Sequence, residues 1–144
     1  MASRGDIVQA ARGWIGTRWQ HQASVKGAAC DCVGLIAGVA KEVGLITSIT
    51  LPPYDRQADG RSMIDLCTRY MTRINISDLD AGDVAVMRFD QNPTHLAFVA
   101  PYLYGGFSVI HASAPARAVV EHQLDDTWRS RIVAAFALPG VAGE

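Results

Sequence analysis

Apolar residues follow two patterns along this chain. Up to about residue 80 they recur at helical spacing; beyond it they come in short runs cut by turn residues. Ile7, Val8, Ala11, Trp14 and Ile15 fit one face of a helix that Gly16 ends. Ser3 and Asp6 in front of it have capping-box spacing, with Asp in place of the usual Glu. Residues 17–29 are polar, lack a period and read as a loop. Cys32 to Val43 is apolar on nearly all sides until Lys41 and Glu42, which predicts a buried helix. Asp31 is its expected N-cap and Gly44 its stop. A loop is expected from Thr47 to Ala58, around Pro52-Pro53. Met63, Cys67, Tyr70 and Ile74 then fit a third amphipathic helix, with Cys67 in the core.

After Ala81-Gly82-Asp83, expected as a turn, Val84 to Phe89 reads as a strand followed by an Asn92-Pro93 turn. Leu96 to Ala100, Phe107 to His111, Ala118 to Glu121 and Ile132 to Ala137 are further strands. Tyr104-Gly105-Gly106 marks a hairpin. Helices first and about five strands after them, at hairpin spacing, predict an α+β fold with an antiparallel sheet.

Length and composition narrow the class. The 144 residues suit a single domain, residues 1–144. An apolar fraction of 49% excludes a disordered chain. Thirteen basic and fourteen acidic residues argue against a nucleic-acid partner. The longest apolar run, Val33 to Ala40, is too short for membrane insertion, and Met1 to Asp6 lacks the apolar core of a secretory signal. Three cysteines, an odd number, fit folding in a reducing compartment. A soluble protein made in the cytoplasm is expected, delivered by some other route if it acts outside.

The chemistry concentrates at Cys30-Asp31-Cys32. Unpaired N–H groups and the helix dipole converge on Cys32, which should lower its thiol pKa. The alternative is a small buried hydrophobe. Gly34 and Gly38 are costly inside a helix and predict close approach of another backbone or of substrate. His95 opens one strand and His111 closes the next, with fifteen residues between them. Antiparallel pairing would make the two imidazoles neighbours at one sheet edge. Cys32, His95 and His111 thus supply a nucleophile, a base and an orienting partner.

These segments resemble a known family. Asp31-Cys32-Val33-Gly34-Leu35 is similar to the Asp-Cys-Ser-Gly-Leu signature of the NlpC-type (NlpC/p-sixty) cell-wall cysteine peptidases. Ala81-Gly82-Asp83-Val84, Thr94-His95-Leu96-Ala97-Phe98 and Ile110-His111-Ala112-Ser113 resemble its later segments in the same order. The resemblance implies a papain-like fold with the nucleophile helix packed on the sheet. It implies Cys32 as nucleophile, His95 as general base and acid, and His111 as the residue orienting His95. The implied substrate is the γ-D-glutamyl–diamino acid bond of peptidoglycan stem peptides, without cofactor or metal. Trp19 holds the place of a family tyrosine and would line the site, with His21 and Asp31 as further substrate contacts. His21-Gln22, Gly27 and Cys30 resemble the branch found beside tail genes of phages and gene transfer agents. That implies phage-like tail or baseplate partners and action at the periplasm or cell wall.

Other readings stand beside this one. Cys30, Cys32, His95 and His111 could surround zinc, although structural zinc sites space their cysteines more widely. A Cys30–Cys32 disulfide is sterically awkward. Capping alone accounts for Asp31, with recognition of a substrate amine as the alternative, and His21 could simply lie on the surface. His122, flanked by Glu121 and Gln123, reads as exposed. Trp14 is at core spacing; Trp128 is expected on the sheet end or a partner surface. In function, a structural tail component of the same fold and an amidase or acyltransferase are the alternatives.

Overall fold

The structure is a computed structural model that describes residues 2–45, 60–89 and 92–141. Helix α1 (Arg4–Arg12) begins with the expected capping box. The Ser3 side chain accepts from the Asp6 N–H, and the Asp6 carboxylate accepts from the Ser3 N–H. Three two-residue strands follow, β1 (Arg18–Trp19), β2 (Ser24–Val25) and β3 (Ala29–Cys30). Then come α2 (Cys32–Glu42), α3 (Gly60–Tyr70) and β4 (Thr72–Ile74). The second half supplies β5 (Val84–Phe89), β6 (Asn92–Pro101), β7 (Phe107–Ser113), β8 (Ala118–Gln123), α4 (Asp126–Arg129) and β9 (Ile132–Ala137).

All nine strands join one sheet in the order β2-β3-β1-β8-β7-β6-β5-β9-β4. Its body is the antiparallel run from β8 to β9, five strands of at least six residues. This is the expected α+β architecture with a longer sheet, since β1 to β4 add four strands of two or three residues. Segments that short carry no alternation, so residues 17–29 read as loop. Among the described residues only β1 and β3 pair in parallel.

Two cores lie on the two faces of this sheet. On one, Leu96, Phe98, Ile110 and Phe136 pack under α1, α2 and α3 with Ile7, Leu35, Val39 and Cys67. On the other, Ala85, Met87, Ala97, Val99 and Val109 pack with Leu124 and Ile132. Alternation along β5, β6 and β7 sends successive side chains to opposite cores.

Three boundaries differ from expectation. The first helix ends at Arg12, and a turn rather than helix carries Trp14 into the core while Ile15 stays exposed. The third ends at Tyr70; Thr72 to Ile74 instead pair with β9 as strand β4. Asn92 and Pro93 are not a turn but the start of β6, opposite Phe89 and Arg88, where the register shifts after Met87. The loop expected from Thr47 to Ala58 lies outside the described residues. No helix among the described residues is long and apolar enough to cross a membrane.

Candidate active site

Cys32 is the first residue of α2, and the chain before it is built to hold that position. One Asp31 oxygen accepts from the Gly34 N–H at 2.8 Å, as an N-cap should. The other accepts from the Gln22 N–H at 2.6 Å, with the His21 Nδ1 3.8 Å away. Asp31 is only 3% exposed. Both of its oxygens thus serve the cap and the preceding loop, while its side chain borders the cleft. The two helix glycines have partners. A Cβ at Gly34 would meet the carbonyl of Ala23, and one at Gly38 would meet the Trp14 ring. It is protein that approaches closely at both positions.

The sulfur of Cys32 receives backbone N–H groups from Cys32, Val33 and Leu96. The last of these belongs to the residue after His95, so the thiol lies against β6 where it carries that imidazole. The N–H groups favour a thiolate, but they lose. Burial, with the charge of Asp31 second, pushes the Cys32 thiol up to about 12. The lowered pKa expected from the helix terminus is therefore overturned: the capping carboxylate opposes the dipole at close range, and protein packed around the half-buried thiol disfavours its charged form. Cys30 and Cys67 are also buried and pushed up to about 12, and all three cysteines are thiols.

His95 and His111 come together as expected. Strands β6 and β7 pair Phe98 with Ile110, which brings the ends bearing the two histidines to one edge. His95 Nε2 and His111 Nδ1 are 2.7 Å apart, with the rings almost perpendicular. Burial, with the His122 charge second, lowers His95 to about 4. Burial, then His95 and His122, lowers His111 to about 3. Both rings are neutral at pH 7.

The expectation for His122 was wrong. It is half-buried, and its Nε2 lies 2.8 Å from the Nε2 of His111. Strand β8 sets His122 opposite Val109 and Val120 opposite His111, so the two histidines are diagonal neighbours on one face. Trp128 packs on this pair, its ring centroid 4.4 Å from that of His122 and 5.1 Å from that of His111. Phe89 meets both His95 and Trp128 edge-on.

A cleft of about 460 Å³ collects these groups. Trp19, His21, Cys32, His95 and His111 line it, joined by Arg131, which sequence reasoning missed. Its guanidinium lies over Phe89 and Trp128, 4.7 and 5.1 Å from the ring centroids. The recognisable signal was Trp128 followed by Arg129 and Arg131 just before the last apolar run. Cys30 is wholly buried on β3 and does not line the cleft, and no group of His, Cys, Asp and Glu among the described residues could hold a metal. The cleft thus offers a thiol, a neutral imidazole and backbone N–H groups, the parts needed for acyl transfer.

No protein-family model matches the sequence, and no curated protein does. Solved structures do. The NlpC/p60 domain of the peptidoglycan hydrolase SagA matches with a TM-score of 0.65 and 22% identity, over 95% of this chain and 100% of that one. An NlpC/p60 family protein from Bacillus cereus matches with a TM-score of 0.67 and 20% identity, over 93% of this chain and 39% of its own. NlpC2 from Trichomonas vaginalis gives 0.65 and 18%, over 96% of this chain and 47% of its own. This chain therefore spans the whole of the first and less than half of the other two. The α+β fold, with its thiol-bearing helix packed on a mainly antiparallel sheet, is that of NlpC/p60 domains.

Proposed function

We propose that this chain is a cysteine peptidase that hydrolyses peptidoglycan stem peptides. One observation carries the reading: the Cys32 sulfur, at the head of α2, receives the N–H of Leu96 beside His95, and thiol and imidazole share one cleft. In the resting site both groups are neutral. As the sulfur attacks the amide carbonyl, the thiol proton passes to His95 and a carbon–sulfur bond forms. N–H groups at the start of α2, that of Cys32 first, stabilise the oxyanion. The imidazolium gives its proton to the departing amine as the carbon–nitrogen bond breaks. Water, deprotonated by His95, then hydrolyses the thioester and returns Cys32 to its thiol. His111 orients His95 throughout. Trp19 and His21 contact the peptide from the cleft wall, and Asp31 contributes a negative edge.

The γ-D-glutamyl–diamino acid bond is the bond proposed to be cut, on the resemblance of the four ordered segments. The stretch from His21 to Cys30 favours delivery to the wall by a phage-like tail or baseplate. The test is mass spectrometry of purified tetrapeptide muropeptides incubated with wild type and with Cys32→Ala. A product lacking everything beyond D-glutamate, seen only with wild type, is expected. An intact substrate after incubation with folded, reduced wild type would overturn the reading and favour a structural tail role or another acyl substrate.

A further inference from the structure

The histidine chain has a direction, and a backbone atom sets it. A carbonyl oxygen only accepts hydrogen bonds. His122 Nδ1 lies 3.0 Å from the carbonyl oxygen of Gln123, so Nδ1 carries a proton. In a neutral imidazole the other nitrogen is then an acceptor. His122 Nε2 therefore accepts from His111 Nε2–H at 2.8 Å. His111 keeps its lone pair on Nδ1, which accepts from His95 Nε2–H at 2.7 Å. The lone pair of His95 is left on Nδ1, the nitrogen that His111 does not engage. Reversing the chain would point a lone pair of His122 at that of the Gln123 carbonyl.

We propose that the Gln123 carbonyl, acting through His122 and His111, fixes the tautomer of His95 with an unprotonated Nδ1, making His122 a positioning residue for deprotonation of Cys32. This rests on the peptidase reading for its purpose, though not for its geometry. No proton travels along the chain. When His95 takes the thiol proton on Nδ1, its Nε2–H still donates to His111, and the other two rings keep their protons. Trp128, packed on His111 and His122, restrains both rings in their near-perpendicular arrangement. The direction holds with all three rings neutral, and burial keeps His95 and His111 in that form at pH 7.

Two variants separate positioning from packing. His122→Phe keeps a ring against Trp128 and removes both nitrogens. His122→Gln keeps an acceptor near the position of Nε2. Two readouts are independent of any peptidoglycan assay: nitrogen-15 NMR of the histidine rings, and the iodoacetamide alkylation rate of Cys32, resolved by peptide mass spectrometry from Cys30 and Cys67. Wild type should show His95 protonated on Nε2 alone. His122→Phe should mix its tautomers and slow alkylation roughly tenfold, the scale of one lost buried hydrogen bond. His122→Gln should restore both. A wild-type His95 protonated on Nδ1 would overturn the proposal, and so would an unchanged tautomer and rate in a folded His122→Phe. If His122→Phe fails to fold, the wild-type and His122→Gln spectra decide alone. Intact muropeptides alongside a Nε2-protonated His95 would sink the proposed reaction and leave the relay standing.

Discussion

The two halves of the cleft are held by different means. Cys32 is fixed by its near neighbours in sequence: the Asp31 cap, the Gln22 N–H and the Ala23 carbonyl against Gly34. The imidazoles are fixed by strand register and by one another, from three strands. A full negative charge supports the first half and none supports the second. Yet both halves end with their reactive group neutral, because burial outweighs the neighbouring groups. The lesson is that a helix terminus does not by itself make a thiolate. In the proposed reaction His95 must take the proton during attack, and the geometry between the halves matters more than the charge on either.

The strongest way to break this comparison is to remove one half. Cys32→Ala should abolish cleavage, and His95→Ala should lower kcat by ~100-fold or more, whereas Cys30→Ala should keep near wild-type turnover. Equal losses in stability-matched Cys30 and Cys32 variants would put the nucleophile elsewhere. Next, Gly34→Ala should cost about 2–4 kcal/mol of stability, because its Cβ meets backbone that cannot turn aside. Urea unfolding measures it, and a loss below about 0.5 kcal/mol would contradict the contact.

The neutral pairs also predict how stability follows pH. The folded pKa of His95 and of His111 lies below the ordinary 6.5, so the unfolded chain binds more protons as pH falls. The stability from these two groups is present above about 6.5 and is lost as pH falls toward 4 and 3. The thiols are raised above 9.0, so their contribution is present below that pH and is lost as pH rises toward about 12. The thermal midpoint should be flat from about pH 6.5 to 9 and fall on both sides. A midpoint that keeps rising below pH 6 would contradict the neutral histidines. The smallest effect is at the cap. Asp31→Asn removes the charge that raises Cys32, so alkylation at pH 8 should quicken, while loss of the acceptor for the Gln22 N–H lowers stability by about 1 kcal/mol. Unchanged alkylation would leave burial as the whole cause.

The same contrast governs what could be read in advance. The cysteine half was legible because its determinants are local: a cap at Asp31, glycines at 34 and 38, and an unbroken apolar helix. The meeting of His95 and His111 was legible because a single hairpin joins their strands. His122 was not, because its neighbour depends on the register of a further strand, and its own surroundings, Glu121 and Gln123, are polar. Writing β7 and β8 as an antiparallel pair would have set residues 109, 111, 120 and 122 on one face and exposed the connection. The thiol's raised pKa was hidden for another reason: burial is a property of the whole fold, and the sequence displays only the dipole.

The place of β9 has a consequence for how the molecule is made. Although it is the last strand among the described residues, it lies inside the sheet, between β5 and β4. During synthesis Cys32 leaves the ribosome long before His95, and β5 waits with one edge open until residues 132–137 arrive. A chain stopped short of them would carry an unsatisfied apolar edge, a template for association with other chains. The cleft is thus assembled only when the sheet closes, and the activity proposed for it stays silent in the unfinished polypeptide.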